Sequence, residues 1–326
     1  MAGLKAHSPK QRYIKSLVFI LICSLVLFNG GTVNGKPKLR EKDSSCNALR
    51  MMARVYMAYG DYEKARPFAE QALTLARTKN ASDSELCLCL IDLAYVYDNQ
   101  GRLSEAESMC ELGLKLQEKV YYKNHPYVAY TLRILSSIYQ GQSKYDQAKT
   151  ALDRAMVIMQ ASHAPDDQVI APFLVDTAGL LVAQGDFEKA ESYYQKAMIL
   201  IKKSYGPNHL YTANVLASMA ELFALQGRYD KAEELIDGAV ETQERIYGPD
   251  HHLIAPTWLT KAKVCYAKGN YTHAEQLIEK ALSTVKKTGN MVKFTELERR
   301  AEEIRVGRHV ASGGPTAHKP SEFTEN

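Results

Sequence analysis

The chain has 326 residues and a formal net charge of only +4, with basic and acidic residues intermixed. That balance excludes a strongly basic nucleic-acid binder, and no run of like charge is long enough to form an interaction tail. A hydrophobic share of 46% is enough for a continuous buried core.

The N-terminus reads as a targeting segment. Lys5, Lys10, Arg12 and Lys15 lead into residues 16–28, an uncharged and mostly apolar run too short for an ordinary membrane span. Small residues follow up to Gly35, in the order expected of a secretory signal. Residues 1–35 are therefore expected to be a signal peptide cleaved after Gly35, which makes the protein secreted or periplasmic. The rival expectation is a retained N-terminal membrane anchor. Ile22 is bulky just before Cys23, where a lipoprotein signal needs a small residue. Residues 36–45 read as a polar linker.

Residues 46–289 carry a repeat. Gly60-Asp-Tyr-Glu-Lys-Ala65 recurs as Gly101-Arg-Leu-Ser-Glu-Ala106, Ser143-Lys-Tyr-Asp-Gln-Ala148, Gly185-Asp-Phe-Glu-Lys-Ala190, Gly227-Arg-Tyr-Asp-Lys-Ala232 and Gly269-Asn-Tyr-Thr-His-Ala274. The first interval is 41 residues and the next four are 42. Such a period marks a stacked array in which each unit leans on its neighbours.

Each unit reads as two helices. Eleven residues before the glycine stand Leu49, Leu90, Leu132, Leu174, Leu216 and Trp258; seven before it stand Ala53, Ala94, Ser136, Ala178, Ala220 and Ala262. Four before it come Tyr56, Tyr97, Tyr139, Leu181, Phe223 and Cys265. Steps of four, three and four place these columns on one helical face. In the second helix, alanine five after the glycine is joined by a small column twelve after it: Ala72, Gly113, Ala155, Ala197, Ala239 and Ala281. The glycine itself suits a left-handed helix stop. Ser143 in its place is expected to cost about 1 kcal/mol locally.

A second turn links the units, as in Tyr205-Gly-Pro-Asn-His209 and Tyr247-Gly-Pro-Asp-His251. Asn or Asp there is expected to offer the next helix an N-cap oxygen. The histidines recur on separate units, so capping fits them better than a shared metal, and no cofactor is expected. Signal cleavage leaves five cysteines, Cys46, Cys87, Cys89, Cys110 and Cys265, an odd number in an exported chain. They are expected to be buried thiols, with a Cys46–Cys87 disulfide conceivable between neighbouring first helices. Asn80-Ala-Ser82 and Asn270-Tyr-Thr272 match the glycosylation pattern, relevant only in a eukaryote. Residues 290–306 read as a polar capping helix without a partner copy. Residues 307–326 read as a disordered tail.

The small column and the glycine–aromatic–alanine signature resemble the tetratricopeptide repeat (TPR). The long period and the Tyr-Gly-Pro-Asn/Asp-His turn resemble the kinesin-light-chain type. The resemblance implies an all-α fold, a right-handed α-solenoid of six helical hairpins whose first helices line a concave groove. It also implies peptide contacts ten and six residues before the turn glycine: Arg50 and Arg54, Ile91 and Tyr95, Arg133 and Ser137, Val175 and Gly179, Ala217 and Glu221, Leu259 and Lys263. Two departures count against kinesin-style cargo. No coiled coil precedes the repeats, and the paired groove asparagines are replaced by Ile91-Asp92, Val175-Asp176, Ala217-Ser218 and Leu259-Thr260.

Arg50, Arg54 and Arg133 suit bidentate binding of a carboxylate, with Tyr95 a rigid surface between them. The alternative is that these are solvated charges. No nucleophile elbow, phosphate-binding glycine loop or His-Glu-x-x-His is present, so no enzyme is expected. The expected function is an exported scaffold for a protein or peptide partner, an acidic one where the arginines make the contacts, with no nucleic acid. The alternative is a membrane-anchored subunit of an envelope or secretory assembly, which touches the membrane only if the N-terminal segment is uncleaved.

Overall fold

The computed structural model describes residues 46–163, 167–288 and 291–311. The expected signal, anchor and linker, residues 1–45, lie outside the described residues, as do residues 312–326. Every regular element among the described residues is helical. Unit 1 is α1 (Cys46–Ala58) and α2 (Tyr62–Thr78); unit 2 is α3 (Asp83–Asn99) and α4 (Leu103–Tyr121); unit 3 is α5 (Pro126–Gly141) and α6 (Tyr145–Ser162). Unit 4 is α7 (Ala171–Ala183) and α8 (Phe187–Tyr205); unit 5 is α9 (Leu210–Leu225) and α10 (Tyr229–Tyr247); unit 6 is α11 (Ala255–Ala267) and α12 (Tyr271–Lys286). The short 3-10 turns Gln168–Ile170 and His252–Ile254 lead into α7 and α11. A last helix, α13 (Met291–Ala311), runs past the expected boundary at Val306.

The small columns lie in the seams. Ala53, Ala94, Ala178, Ala220 and Ala262 are fully buried, and so is the alanine five after each turn. Ser136 fits the same column because its hydroxyl donates to the Ala148 carbonyl at 2.9 Å, which leaves no polar group unmet. Gly113 stands where the other units have alanine because a β-carbon there would lie 3.0 Å from Ile91 Cγ1.

All six first helices stop in the same way. The turn residue takes a left-handed φ, from 61° at Ser143 to 81° at Gly185. The next N–H donates back to the aromatic column's carbonyl at 2.8–2.9 Å, the long bond of a Schellman stop. That next residue has two uses. Asp61, Asp186 and Asn270 cap the second helix by accepting from Lys64, Lys189 and His273 N–H. Arg102, Lys144 and Arg228 do not cap; their charges stand over the rings of Tyr97, Tyr139 and Phe223 at 4.0, 5.6 and 4.2 Å.

The stack curves. Backbones of successive first helices approach one another along the whole array, whereas those of successive second helices do not. Long side chains alone bridge the outer row, as in Arg154–Glu118 at 2.6 Å and Lys280–Glu244 at 2.9 Å. The first helices therefore line the inner side, as the family resemblance implies. The curve brings the turn of unit 1 against the start of unit 6, where a methyl on Gly60 would lie 2.6 Å from Leu253 Cδ2. At the far end α13 packs on both α11 and α12 and buries Leu297 and Ala301.

Of the six residues at these first-helix stops, Ser143 alone carries a β-carbon in a left-handed backbone. Ser143→Gly is expected to stabilise the array by about 1 kcal/mol, read as a higher denaturation midpoint in urea. An unchanged midpoint would show that the turn carries no strain.

Candidate functional site

The trough's basic residues are already engaged. Asp92, on the third turn of α3 and its inner face, accepts from Arg50 Nε at 2.8 Å and from Arg54 Nε and Nη2 at 3.0 and 2.9 Å. Arg50 is buried, and its Nη1 also donates to Asn47 Oδ1 at 3.2 Å. It is not offered to a guest. Arg54 differs: 52% of its side chain remains open to water. Removing one partner of so buried a pair is strongly destabilising, because the other charge is left without compensation.

The pattern repeats along the trough. Arg133 Nε lies 3.3 Å from Asp176 Oδ2, with its guanidinium 5.7 Å from the Phe173 ring. Asp176 keeps 37% of its side chain open to water. The crowding that pushes its carboxyl up to about 6, partly offset by Arg133, is therefore that of a trough floor and not of a sealed core. Between these pairs, Ser137 donates to Asp98 Oδ2 at 3.0 Å. Burial pushes Asp98 up to about 6 against that hydrogen bond. Tyr95 meets Tyr62 edge to face with ring centres 6.2 Å apart.

The structure thus brings Arg50, Arg54, Tyr95, Arg133 and Ser137 onto one stretch of the inner face. Glu221 and Lys263 lie apart, toward the other end. They line a cleft of about 530 Å³ with Tyr229, Leu259, Tyr266 and Arg300. Glu221 pairs with Arg300 of α13 at 3.2 Å, and burial lowers the Lys263 ammonium's pKa. Sequence reasoning missed Asp98 and Arg300, and saw Asp92 and Asp176 only as departures from paired asparagines. Each of these two carboxylates stands one residue beyond the column that carries the arginines, and that offset was the available signal.

The turn histidines are caps, but the expected Asn and Asp are not. His125, His209 and His251 accept at Nδ1 from the backbone N–H two residues on, at 3.1, 3.2 and 3.3 Å. Asn208 and Asp250 precede the extended residue that enters the helix, so the cap position falls to the histidine. Asp167 holds the same place in the fourth unit and accepts from Val169 N–H. Rings reinforce each turn, as where Tyr247 stacks on His251 with centres 4.8 Å apart. Among the described residues no three His, Cys, Asp or Glu side chains converge as metal ligands.

A stacked array of helical hairpins with an inner trough is an interaction scaffold in its architecture. The tetratricopeptide repeat family matches residues 85–161, 170–236 and 217–287, and a second form of the same repeat matches 48–81. The chain belongs to the tetratricopeptide repeat family. No curated protein matches the sequence. Among solved structures it is similar to BtubC (BKLC) from P. vanneervenii, at 18% identity over 86% of this chain and 98% of that one, with a TM-score of 0.51. It is also similar to a Rap protein complexed with Competence and Sporulation Factor, at 14% identity over 81% and 76%, with a TM-score of 0.58. A putative kinesin light chain with nearly identical TPR-like repeats from Podosopora anserina aligns at 18% identity over 61% and 95%, with a TM-score of 0.47. At these identities the first two likenesses speak for the fold alone.

The cap at His251 carries a pH signature. Burial, then the neighbouring His252, depress its pKa to about 4, against about 6.5 for a free imidazole. The unfolded chain therefore binds the extra proton first. This contribution to stability is complete above pH 6.5 and is lost as the pH falls toward 4. His251→Asn keeps an acceptor at the cap without a titrating ring. It is expected to flatten the fall in denaturation midpoint between pH 6.5 and 4; an equal slope in both proteins would remove His251 from the account.

Proposed function

We propose that the protein is an exported, non-enzymatic scaffold that holds an extended acidic segment of a protein partner in the unit 1–3 part of the trough. The observation that carries this reading is the half-open Arg54 on α1 and the less exposed Arg133 on α5, with Tyr95 of the intervening inner helix α3 between them. A guest carboxylate there competes with Asp92 and Asp176 for guanidinium groups held in a fixed direction. The family supports a binding role in general. One structural neighbour was solved in complex with Competence and Sporulation Factor.

Panning a random peptide library against the full chain tests the acidic preference. Wild type is expected to enrich peptides rich in Asp and Glu, and Arg54→Glu/Arg133→Glu to weaken their binding at least about tenfold with helix content unchanged. Enrichment of basic peptides, or equal binding by the variant, would overturn the assignment.

Export rests on the charged lead, apolar run and small-residue end of residues 1–35. Sequencing the N-terminus of the mature protein is expected to start near Lys36. A start at residue 1 or 2 in the membrane fraction would favour the anchored subunit instead. No helix among the described residues is long and apolar enough to cross a membrane, so attachment in that reading falls to residues 16–28.

A further inference from the structure

Two thiols meet where unit 1 joins unit 2. Cys46 opens α1, Cys89 lies in the second turn of α3, and their sulfurs are 2.9 Å apart. That is closer than the roughly 3.5–4.0 Å optimum for non-bonded carbon atoms, which are smaller than sulfur. A disulfide requires about 2.05 Å, so closure takes a movement of roughly 0.9 Å shared by two side chains. Cys87, the residue at the matching repeat position, is turned away and donates to the Ser84 carbonyl of its own helix at 3.1 Å. Cys110, on the second helix of unit 2, faces the other way and donates to the Thr131 carbonyl of unit 3 at 3.7 Å.

We propose that Cys46 and Cys89 form a disulfide that staples the first unit to the second. The oxidant is an ordinary disulfide, RSSR, either a small molecule such as oxidised glutathione or an exchange protein. The Cys46 thiolate attacks one sulfur of RSSR and expels RS⁻, forming a mixed disulfide. The Cys89 thiolate then attacks the Cys46 sulfur, forms the intramolecular S–S bond and expels the second RS⁻. The two protons lost by the cysteines end on two RSH, and the two electrons reduce RSSR.

Cys46 is suited to the first step. It opens α1 on the end turn of the array, where fraying admits a small oxidant. Cys89 is wholly buried and needs only to meet its neighbour. The staple has a structural use. Among the described residues no unit precedes helix α1, which buries only Cys46, Arg50 and Ala53. The bond would hold Arg50 and Arg54 in register with Asp92 whatever the trough's guest.

The full chain, reduced and then treated with oxidised glutathione both folded and during refolding from denaturant, is alkylated with iodoacetamide in denaturant and weighed. Two fewer alkylations than in the reduced control are expected, with the cross-linked peptide mapping to Cys46 and Cys89. Cys46→Ser or Cys89→Ser should abolish the loss, whereas Cys87→Ala should leave it intact. Oxidation should also raise the denaturation midpoint, and reductant should reverse the rise. Full alkylation under both treatments, or a bond from Cys46 to Cys87, would overturn the proposal.

Discussion

Everything in this fold depends on how closely two helices of one hairpin can approach. The column seven before the turn and those five and twelve after it hold alanine almost throughout, and those alanines are fully buried. A larger side chain in any of them would pry the hairpin apart, and the error would propagate because each unit is the floor for the next. The two departures show the constraint from opposite sides. Ser136 is admitted because its hydroxyl finds a carbonyl. Gly113 appears where Ile91 leaves no room for a methyl.

Curvature follows from that seam. Inner helices pack on inner helices, while outer helices splay and leave only side chains to span the gap. The result is a trough whose walls are first helices, whose near end lies against unit 6 and whose far end is covered by α13. A surface built this way gathers residues distant in sequence. Arg300 of α13 reaching Glu221 of unit 5, past unit 6, is one case. Trough-floor crowding is also why Asp98 and Asp176 hold their protons more tightly than surface carboxylates, although neither is sealed from water.

The fold was legible because periodicity is a local signal. Turn, small columns and hairpin pairing could be read from spacing alone, and the structure places each on the expected face. The site was less legible because its contacts cross between units with a shift in register. Aligned repeats set like beside like, so Cys46 was matched to Cys87 and Arg50 to Ile91. In the folded array α1 meets α3 slightly further along. Cys46 therefore faces Cys89, Arg50 faces Asp92, and Arg133 likewise faces Asp176. Ser137 reaches Asp98 by a shift of the opposite sense. The caps failed for a related reason: an oxygen one residue too early cannot reach the helix, and the histidine that follows has a nitrogen in the right place.

On the proposed reading, the same register shift would decide what the trough selects. A free arginine row would bind any anion weakly and without preference. Here each guanidinium already has a carboxylate, so a guest gains only what its own acid offers beyond Asp92 or Asp176. Arg50 is too buried to make that exchange without stranding Asp92, and its role is to keep the acid fixed. Arg54 is half exposed and can turn outward while Asp92 stays satisfied by Arg50. On that reading one arginine anchors while its neighbour would be released, and burial on a single helix makes the difference between them. In the proposed reading, discrimination would come from geometry, because Arg54 and Arg133 are held on separate inner helices, α1 and α5.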